Sequence, residues 1–414
     1  MTIVPTTTDH TVWLSTLLKH AAVDALDHPV GTLADAIVRL RTNSYPILTG
    51  LVVRINSQRV FAPIAQVVAI DGQRIELTAT RLDLRPFERR HGEVLLRDDV
   101  LGHRLIDIQR VALVRAYDVQ LRQTEDEWVV SGLDVHKHQW LHLGARHDRH
   151  APHDWNRFEA LIGHEASATA RSPQNRLTRL KAAQIADIIE DASDVEQDEL
   201  LAHVHSDPEL EADVFEELDD GRQAQLLKNR TSDEAAKVLD RMRADDAADA
   251  IMDMPHDRRH EVLDCLSVAQ RTKVLTLLRY GAGTAGGLMG MDFIAVPESN
   301  TVQDALALIR SSVTLQPEAL TAIYTIDEQG RLAGAIGLVR ALQLDPEAIL
   351  RDTVGPDPIH ATAGEDLTEI TTRMADFNLL TLPVVDDNHR LLGVVTVDDA
   401  LEYAIPRDWR RREA

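Results

Sequence analysis

A short repeat in the middle of the chain is the strongest constraint on its fold. Between residues 176 and 282 the apolar positions follow a helical period, and four of them are spaced at multiples of 12 residues. These four are Leu218, Met242, Met254 and Leu266. Several units begin with residues that cap helices, namely Ser206, Asp207, Asp219, Asp220, Ser232 and Ser267. Helices this short are marginal in isolation and must bury their apolar faces on neighbours, so the repeat predicts an all-α superhelix.

The last third of the chain repeats a second, longer unit. Residues 327–334 read Asp-Glu-Gln-Gly-Arg-Leu-Ala-Gly, and residues 386–393 read Asp-Asp-Asn-His-Arg-Leu-Leu-Gly, an offset of 59 positions. Each copy has the pattern of two strands joined by a turn, and an amphipathic helix is predicted before each, at 301–311 and 366–376. Tandem units of this size predict an α/β pair that packs face to face as a regulatory module.

The first third has the pattern of short β-strands. Residues 45–135 alternate apolar and polar positions and are enriched in β-branched residues, with an Asp71-Gly72 turn signal between two such runs. This pattern predicts a small β-barrel, which two similar halves could build.

Residues 136–175 lack a clear period and contain six histidines from His136 to His153. Their spacing matches no compact metal-binding motif, so a solvated linker is predicted, with a transition-metal site as the alternative.

Acidic residues dominate the charge of the chain. Its 414 residues include 44 Lys and Arg against 67 Asp and Glu, a net charge of −23, and residues 181–264 alone contribute −16. Such a charge repels phosphate backbones and anionic lipids, so nucleic-acid binding is not expected and a cationic ligand is favoured. No run of about 18 apolar residues predicts a membrane span, and the start of the chain lacks a signal-peptide pattern.

Cysteine usage and the absence of catalytic motifs bear on the location of the protein and on whether it is an enzyme. The single cysteine, Cys265, cannot form an internal disulfide, which predicts a reducing, cytoplasmic location. Its position beside leucines on a predicted helix favours a buried thiol. The sequence has no phosphate-binding loop, no Gly-x-Ser-x-Gly nucleophile elbow and no convincing Cys/His pair, so we expect a protein that is not an enzyme.

The run 280–289, Tyr-Gly-Ala-Gly-Thr-Ala-Gly-Gly-Leu-Met, resembles the joint between the cytosolic N domain and the CBS-domain pair of MgtE magnesium transporters. The resemblance extends over residues 176–405. Its other anchors are 244–250, 381–386 and 393–399. It implies the order superhelix, glycine joint and two CBS repeats, a homodimer through the CBS domains, and a hinge at Gly286 and Gly287.

The front of the chain resembles a pair of PRC barrels, on its strand pattern and on Gly31-Thr32, 59–63 and Leu101-Gly102. The prediction is therefore a multidomain protein: a PRC-like β-barrel region (1–135), a His-rich linker (136–175), an all-α MgtE N-like superhelix (176–282), an α/β tandem CBS pair (283–405, with repeats at about 290–350 and 351–405) and a tail (406–414). The transporter family continues into a membrane domain after the second CBS repeat. This sequence stops at Ala414, so the resemblance does not imply transport.

In the MgtE family, acidic side chains of the N and CBS domains face each other across bound Mg²⁺. The matching positions here are Asp245 and Asp249 in the N domain and Asp366, Asp399 and Glu402 in the CBS pair. Asp245 and Asp249 are also one helical turn apart, where like charges cost about 0.2–0.5 kcal/mol unless a cation relieves them. The alternative is that Asp245 or Asp246 caps a helix while Asp249 is merely solvated, and that Asp398, Asp399 and Glu402 form an ordinary exposed helix start. One further acidic position of the family falls on Asn378, which loses a charge.

CBS pairs also bind adenine nucleotides through a Gly-x-x-Ser/Thr-x-x-Asp pattern. The second repeat retains Gly393, Thr396 and Asp399, whereas the first lacks the hydroxyl and the carboxylate.

The resemblance implies a soluble magnesium-sensing regulatory protein that closes its N and CBS domains on Mg²⁺ and acts on a protein partner such as an ion transporter. Two alternatives stay open, a scaffold acting through the barrel and superhelix, and an adenine-nucleotide sensor.

Overall fold

The computed structural model describes residues 10–41, 44–71, 74–78, 85–125, 127–136, 151–160, 176–312, 315, 317–355 and 358–405. The chain divides into a first unit, residues 1–207, and a second unit, residues 208–413. None of the helices in the described ranges is both long and apolar enough to cross a bilayer. The domain boundaries expected from the sequence stay predictions. The tail 406–414 and most of the predicted linker 136–175 lie outside the described residues.

The first unit is built mainly from strands. They are β1 Thr11–Trp13, β2 Ala21–Val23, β3 Pro29–Arg41, β4 Ser44–Ile55, β5 Gln58–Pro63, β6 Val67–Ile70, β7 Ile75–Leu77, β8 Val94–Leu95, β9 Arg104–Asp107, β10 Ala112–Arg115, β11 Asp118–Gln123, β12 Trp128–Asp134, β13 His153–Asp154 and β14 Phe158–Ala160. Eleven of them form a barrel-like sheet in the order β1-β11-β12-β4-β3-β2-β7-β6, with β5, β8 and β13 added at β4, β3 and β12. A three-stranded sheet has the order β10-β9-β14. The predicted barrel region is therefore confirmed as a barrel-like sheet.

The strand pattern of the sequence places the core of this unit. Strand β12 is buried along its whole length, and Val130 packs in one cluster with Leu51, Trp155 and Phe158. Strands β6 and β7 pair antiparallel on either side of Asp71, where the turn was predicted, while Gly72 lies outside the described residues.

Three helices belong to the first unit: α1 Leu14–Leu17, α2 Ala182–Asp191 and α3 Asp194–Val204. Arg104 on β9 binds Glu196 on α3 through two hydrogen bonds, from Nε to Oε1 at 2.9 Å and from Nη2 to Oε2 at 2.6 Å. Burial opposes ionisation of Glu196, but hydrogen bonds from Arg104 and Ser193 outweigh it and lower its pKa to about 2. A bidentate pair of this kind fixes the orientation of α3 on the sheet.

The second unit begins with six short helices: α4 Pro208–Glu217, α5 Asp220–Lys228, α6 Ser232–Leu239, α7 Ala244–Met252, α8 His256–Cys265 and α9 Val268–Leu277. Alternate helices are neighbours, so that α4, α6 and α8 form one row and α5, α7 and α9 form another. The four residues at 12-residue spacing, Leu218, Met242, Met254 and Leu266, are buried in the turns between helices. The two-row stack confirms the predicted superhelix, because each short helix buries its apolar face on its neighbours.

Two details of these helices differ from prediction. Asp219 and Ser267 cap α5 and α9 as expected, but the cap of α6 is Thr231, and Ser232 is the first helical residue. Cys265 is exposed, so the prediction of a buried thiol was wrong. The buried residues of α8 are Val262 and Leu263, and Cys265 at the end of the helix lies outside that face.

The rest of the second unit contains two copies of one α/β fold. After the short helix α10 Ala285–Leu288, the first copy comprises β15 Ile294–Pro297, α11 Val302–Ser311, β16 Ala322–Ile326, β17 Leu332–Gly337 and α12 Leu338–Leu342. The second comprises β18 Ala361–Thr362, α13 Leu367–Phe377, β19 Thr381–Val385, β20 Leu391–Thr396 and α14 Val397–Ala404. The sheets have the orders β15-β16-β17 and β18-β19-β20, each with one parallel and one antiparallel pair.

The two copies face each other through equivalent elements. Tyr324 Oη on β16 donates to Thr381 Oγ1 on β19 at 2.8 Å in a buried position, and Arg331 forms a β-bridge with Arg390, its counterpart 59 residues later. Helices α11 and α13 begin within one residue of the predicted positions 301 and 366. The predicted duplication and its face-to-face packing are confirmed.

Candidate functional site

Four of the five acidic residues singled out by the sequence, all except Asp366, gather around α7. Three other helices of the superhelix begin at Asp219, Thr231 and Ser267, and each of these side chains accepts a hydrogen bond from the backbone N–H three residues later. The equivalent position of α7 holds Arg243, which makes no such cap. Its long side chain is available for other contacts.

Arg243 connects the superhelix to the second α/β copy. Its Nη1 lies 2.6 Å from Asp399 Oδ1, and its Nη2 lies 3.9 Å from Glu402 Oε2, both on α14. On the superhelix side, Nε donates to Asp246 Oδ2 at 2.7 Å and lies 3.5 Å from Glu216 Oε2. Burial opposes the charge of this guanidinium, but the surrounding carboxylates outweigh it and raise its pKa above the usual value. One cation thus joins four acids from two parts of the chain.

Asp399 has two structural roles at once. Its Oδ2 accepts hydrogen bonds from Thr396 Oγ1 at 2.7 Å and from the Thr396 backbone N–H at 3.2 Å, which forms a capping box at the start of α14. Its Oδ1 faces Arg243. The helix-start interpretation and the interface interpretation of Asp399 therefore both hold. These contacts also occupy the hydroxyl and carboxylate that the nucleotide pattern would use.

Asp245 is the most unusual carboxylate of the cluster. It is 9 % exposed, and its Oδ1 has no hydrogen-bond partner among the described residues. Burial raises its pKa to about 6; the nearby Arg243 opposes this shift and Asp399 adds to it. A buried carboxylate oxygen without a partner is costly to ionise, and a cation would remove that cost.

Neighbouring carboxyl groups are perturbed in the same direction. Burial raises the pKa of Glu216 to about 7 and raises that of Asp246 well above its usual range. Asp249 is exposed, yet desolvation by the surrounding protein and the negative charge of Asp245 raise its pKa to about 6. The cluster therefore holds more negative charge than Arg243 neutralises.

Asp366 was predicted to share this site and does not contact Arg243. It is exposed and caps α13, where its Oδ1 accepts from the backbone N–H of Glu369 at 3.0 Å. Its part in binding a metal ion stays a prediction. Asn378, the neutral replacement for a family acid, ends α13 in the left-handed conformation with φ of 52°, a role for which Asn is suited.

The two glycines predicted as a hinge lie in a closely packed turn. A Cβ on Gly287 would approach the Gly281 carbonyl oxygen to 2.2 Å, and one on Gly286 would approach the Tyr280 ring to 2.5 Å. The backbone N–H of Gly286 donates to the Ala363 carbonyl at 2.9 Å, so this turn is bonded to the second α/β copy. The close approach of Tyr280 and Gly281 explains why positions 286 and 287 hold glycine. The role of these two glycines as a hinge stays a prediction.

The donor set suits a hard cation that keeps its water. Within the described ranges, no group of three or more His, Cys, Asp or Glu side chains is arranged to hold a metal ion. Mg²⁺ dehydrates reluctantly and typically takes one or two carboxylates. The all-oxygen cluster and the unpartnered Oδ1 of Asp245 fit such a hydrated ion.

The sequence did not identify Arg243 or Glu216 as site residues. A signal for Arg243 was present, because positions 219, 231, 243, 255 and 267 fall in one 12-residue register, in which 219, 231 and 267 hold capping residues and 255 holds Pro. An arginine in that register breaks the local rule. No comparable signal distinguished Glu216 from the other acids of α4.

Comparison with known proteins agrees with this architecture. Residues 180–283 match the family of the MgtE intracellular N domain, and residues 350–405 match the CBS domain. The chain therefore contains a segment similar to the MgtE N domain followed by a segment similar to a CBS domain, as the sequence resemblance implied.

Among curated relatives, the magnesium transporter MgtE of Thermus thermophilus is 35% identical over 161 residues, which are 38% of this chain and 36% of that protein. MgtE of Bacillus subtilis is 26% identical over 193 residues, 47% of this chain and 43% of that protein. The chain thus spans less than half the length of these relatives. Crystal structures add two matches: the cytosolic domain of the Mg²⁺ channel MgtE in complex with ATP (TM-score 0.52, 28% identity, 55% of this chain and 92% of that one) and the soluble part of a magnesium transporter (TM-score 0.51, 23% identity, 57% and 91%).

Proposed function

We propose that the second unit is a magnesium-responsive regulatory module whose superhelix and second CBS repeat close on Mg²⁺. The observation that carries this proposal is the Oδ1 atom of Asp245, which is buried, unpartnered and surrounded by further acids. Five carboxylates, those of Glu216, Asp245, Asp246, Asp399 and Glu402, lie around or beside one guanidinium. Their excess negative charge opposes closure, and a divalent cation relieves it.

Magnesium binding and closure of the module are coupled through thermodynamic linkage. A cation that binds the closed arrangement better than the open one stabilises it by RT ln(1 + [L]/Kd), so closure responds to magnesium only when its free concentration exceeds Kd. Asp245 and Asp249 would hold the hydrated ion on the superhelix side, and Asp399 and Glu402 would face it from the CBS side. The module would therefore report free magnesium as a change in domain contact.

The proposed protein partner is suggested by the proteins that this chain resembles. The proteins that this chain resembles are magnesium transporters and the cytosolic part of a Mg²⁺ channel. We propose that this module, in the cytoplasm and as a homodimer through its CBS repeats, transmits its state to an ion transporter and catalyses no reaction itself. Several apolar side chains of α13, of the turn that follows it and of α14 are exposed and available for such contacts, among them Phe377, Leu380, Leu401 and Tyr403.

Limited proteolysis of the joint at residues 281–300 tests the magnesium response. We expect slower cleavage in millimolar MgCl₂ than in NaCl of equal ionic strength. The double variant Asp245→Asn, Asp249→Asn should lose this protection, whereas Asp257→Asn, at an exposed position on α8, should keep it. Equal cleavage of the wild type in both salts would refute magnesium sensing and favour a scaffold whose acidic face only confers solubility.

An adenine nucleotide is the second candidate ligand, supported by the related cytosolic domain that crystallised with ATP. In this chain Thr396 and Asp399 are already bonded to each other, and Asp399 also to Arg243. A nucleotide that used these two groups would have to displace those contacts. Titration calorimetry with ATP decides the matter, since an absence of heat in both EDTA and MgCl₂ would exclude this function.

A further inference from the structure

Arg243 breaks the pattern of the repeat in which it lies. The cap positions 219, 231 and 267 hold Asp, Thr and Ser, and each satisfies a backbone N–H at the start of its helix. Arg243 lies in the same register and leaves α7 without a side-chain cap, as Pro255 does for α8, but of these two residues only Arg243 carries a charge. A residue that contradicts the local rule is expected where function requires it.

What Arg243 does instead is bridge two acidic surfaces. Its guanidinium contacts Asp246 and Glu216 on the superhelix and Asp399 and Glu402 on α14, and its side chain is 24 % exposed. The Asp399 carboxylate at its far end is 9 % exposed. Arg243 therefore places a positive charge between the two acidic surfaces.

A second basic residue supports the same closed arrangement. Lys273 on α9 places its Nζ 2.6 Å from Asp292 Oδ1, in the segment between α10 and β15. Both basic residues belong to the superhelix, and both meet acids that follow the glycine joint. The contact between these two parts of the second unit is therefore already supplied with positive charge.

We propose that Arg243 is a built-in counter-ion that holds the superhelix against the second CBS repeat in the absence of any divalent cation. This inference deepens the proposed function, on which it rests in part. Magnesium then acts on an equilibrium that Arg243 has already biased toward closure, through the carboxylates that Arg243 leaves uncompensated. The strength of the arginine contact sets how much magnesium the module needs.

Energy transfer between two dyes tests the inference directly. One dye is attached to Cys265, which is exposed, and the other to the new thiol of the variant Asn388→Cys, at an exposed position, in full-length chains diluted into unlabelled protein. The key variant is Arg243→Ser, which restores a capping residue to α7 and so removes the cation without weakening the helix. The matched control is Arg241→Ser, because Arg241 pairs with Glu209 inside the superhelix.

In EDTA, the wild type and Arg241→Ser should show high transfer, and Arg243→Ser should show a closed-to-open ratio lower by about tenfold or more. Unchanged transfer in Arg243→Ser, or a wild type that is fully open in EDTA, would overturn the inference. Added MgCl₂ separates it from the proposed function. If the difference in EDTA is present but no variant responds to Mg²⁺, magnesium sensing fails while the counter-ion role of Arg243 stands.

Discussion

A neutral side chain at position 245 should stabilise α7 when no divalent cation is present. The pKa of the Asp245 carboxyl is raised from 3.8 to about 6, so the folded protein disfavours its ionised form. Each pKa unit corresponds to about 1.4 kcal/mol, which makes the cost of the charge about 3 kcal/mol at pH 8, where the group is ionised. The variant Asp245→Asn removes that charge while keeping the size of the side chain.

Hydrogen exchange of peptides covering residues 244–252 measures the effect at the right place. In EDTA at pH 8, the amides of α7 in Asp245→Asn should exchange up to about 100-fold more slowly than in the wild type, since about 3 kcal/mol equals two decades in an opening equilibrium. Millimolar MgCl₂ should slow exchange in the wild type and leave the variant nearly unchanged. The ion and the substitution relieve the same charge, so their effects should not add.

The exposed Asp257 provides the control, because Asp257→Asn changes the net charge of the superhelix by the same amount. It should alter exchange in α7 by less than about twofold. Equal or faster exchange of α7 in Asp245→Asn than in the wild type, measured in EDTA, would refute the reasoning, because the buried carboxylate would then impose no cost.

Three further perturbations test other parts of the fold. Glu196→Gln should lower the stability of the first unit by about 2 kcal/mol at neutral pH, as measured by tryptophan fluorescence. In the wild type, the stabilisation from ionised Glu196 is complete above pH 4.5 and is lost as the pH falls through about 2. Gly287→Ala should increase proteolysis of the joint by about tenfold or more, because its Cβ would lie 2.2 Å from the Gly281 carbonyl oxygen. Tyr324→Phe should destabilise the CBS pair by about 1 kcal/mol in urea titrations, since Thr381 loses a buried hydrogen bond.

Each of these three has an informative opposite result. A stability of Glu196→Gln equal to wild type at pH 7 would show that the Arg104 pair contributes no net energy. Intact joints in Gly287→Ala would mean that the turn relaxes at little cost. An unchanged urea midpoint in Tyr324→Phe would mean that water replaces the lost hydrogen bond.

Most of the architecture could be predicted from local repeats in the sequence. The 12-residue spacing of residues such as Met242 located the turns of the superhelix, because a repeat places the same apolar residue at the same junction. The offset of 59 located both CBS copies and their facing strands. The pairing order of the 11-stranded sheet was beyond reach, since neighbours such as β1 and β11 are separated by about a hundred residues and no local pattern encodes their contact.

The site was predicted in part. Asp399 and Glu402 do meet the α7 region, but through Arg243, a residue that a search for clustered acids overlooks. Asp366 was assigned by its alignment with a family position, yet its carboxylate is used locally as a helix cap. Acidic residues at helix starts have two uses, local capping and longer-range ion pairing, and the sequence alone does not distinguish them.

The two-row stacking of the superhelix limits how far a bound cation is felt. Helix α7 lies between α5 and α9 in its row, and in a stack of this kind each helix is coupled chiefly to its immediate neighbours. Stabilisation that enters at α7 therefore decays with every helix it crosses. Along the chain, α4 is coupled to the site directly, because its Glu216 lies 3.5 Å from Arg243, while α9, adjacent to α7 and tied by Lys273 to the joint, conveys the response toward the CBS repeats.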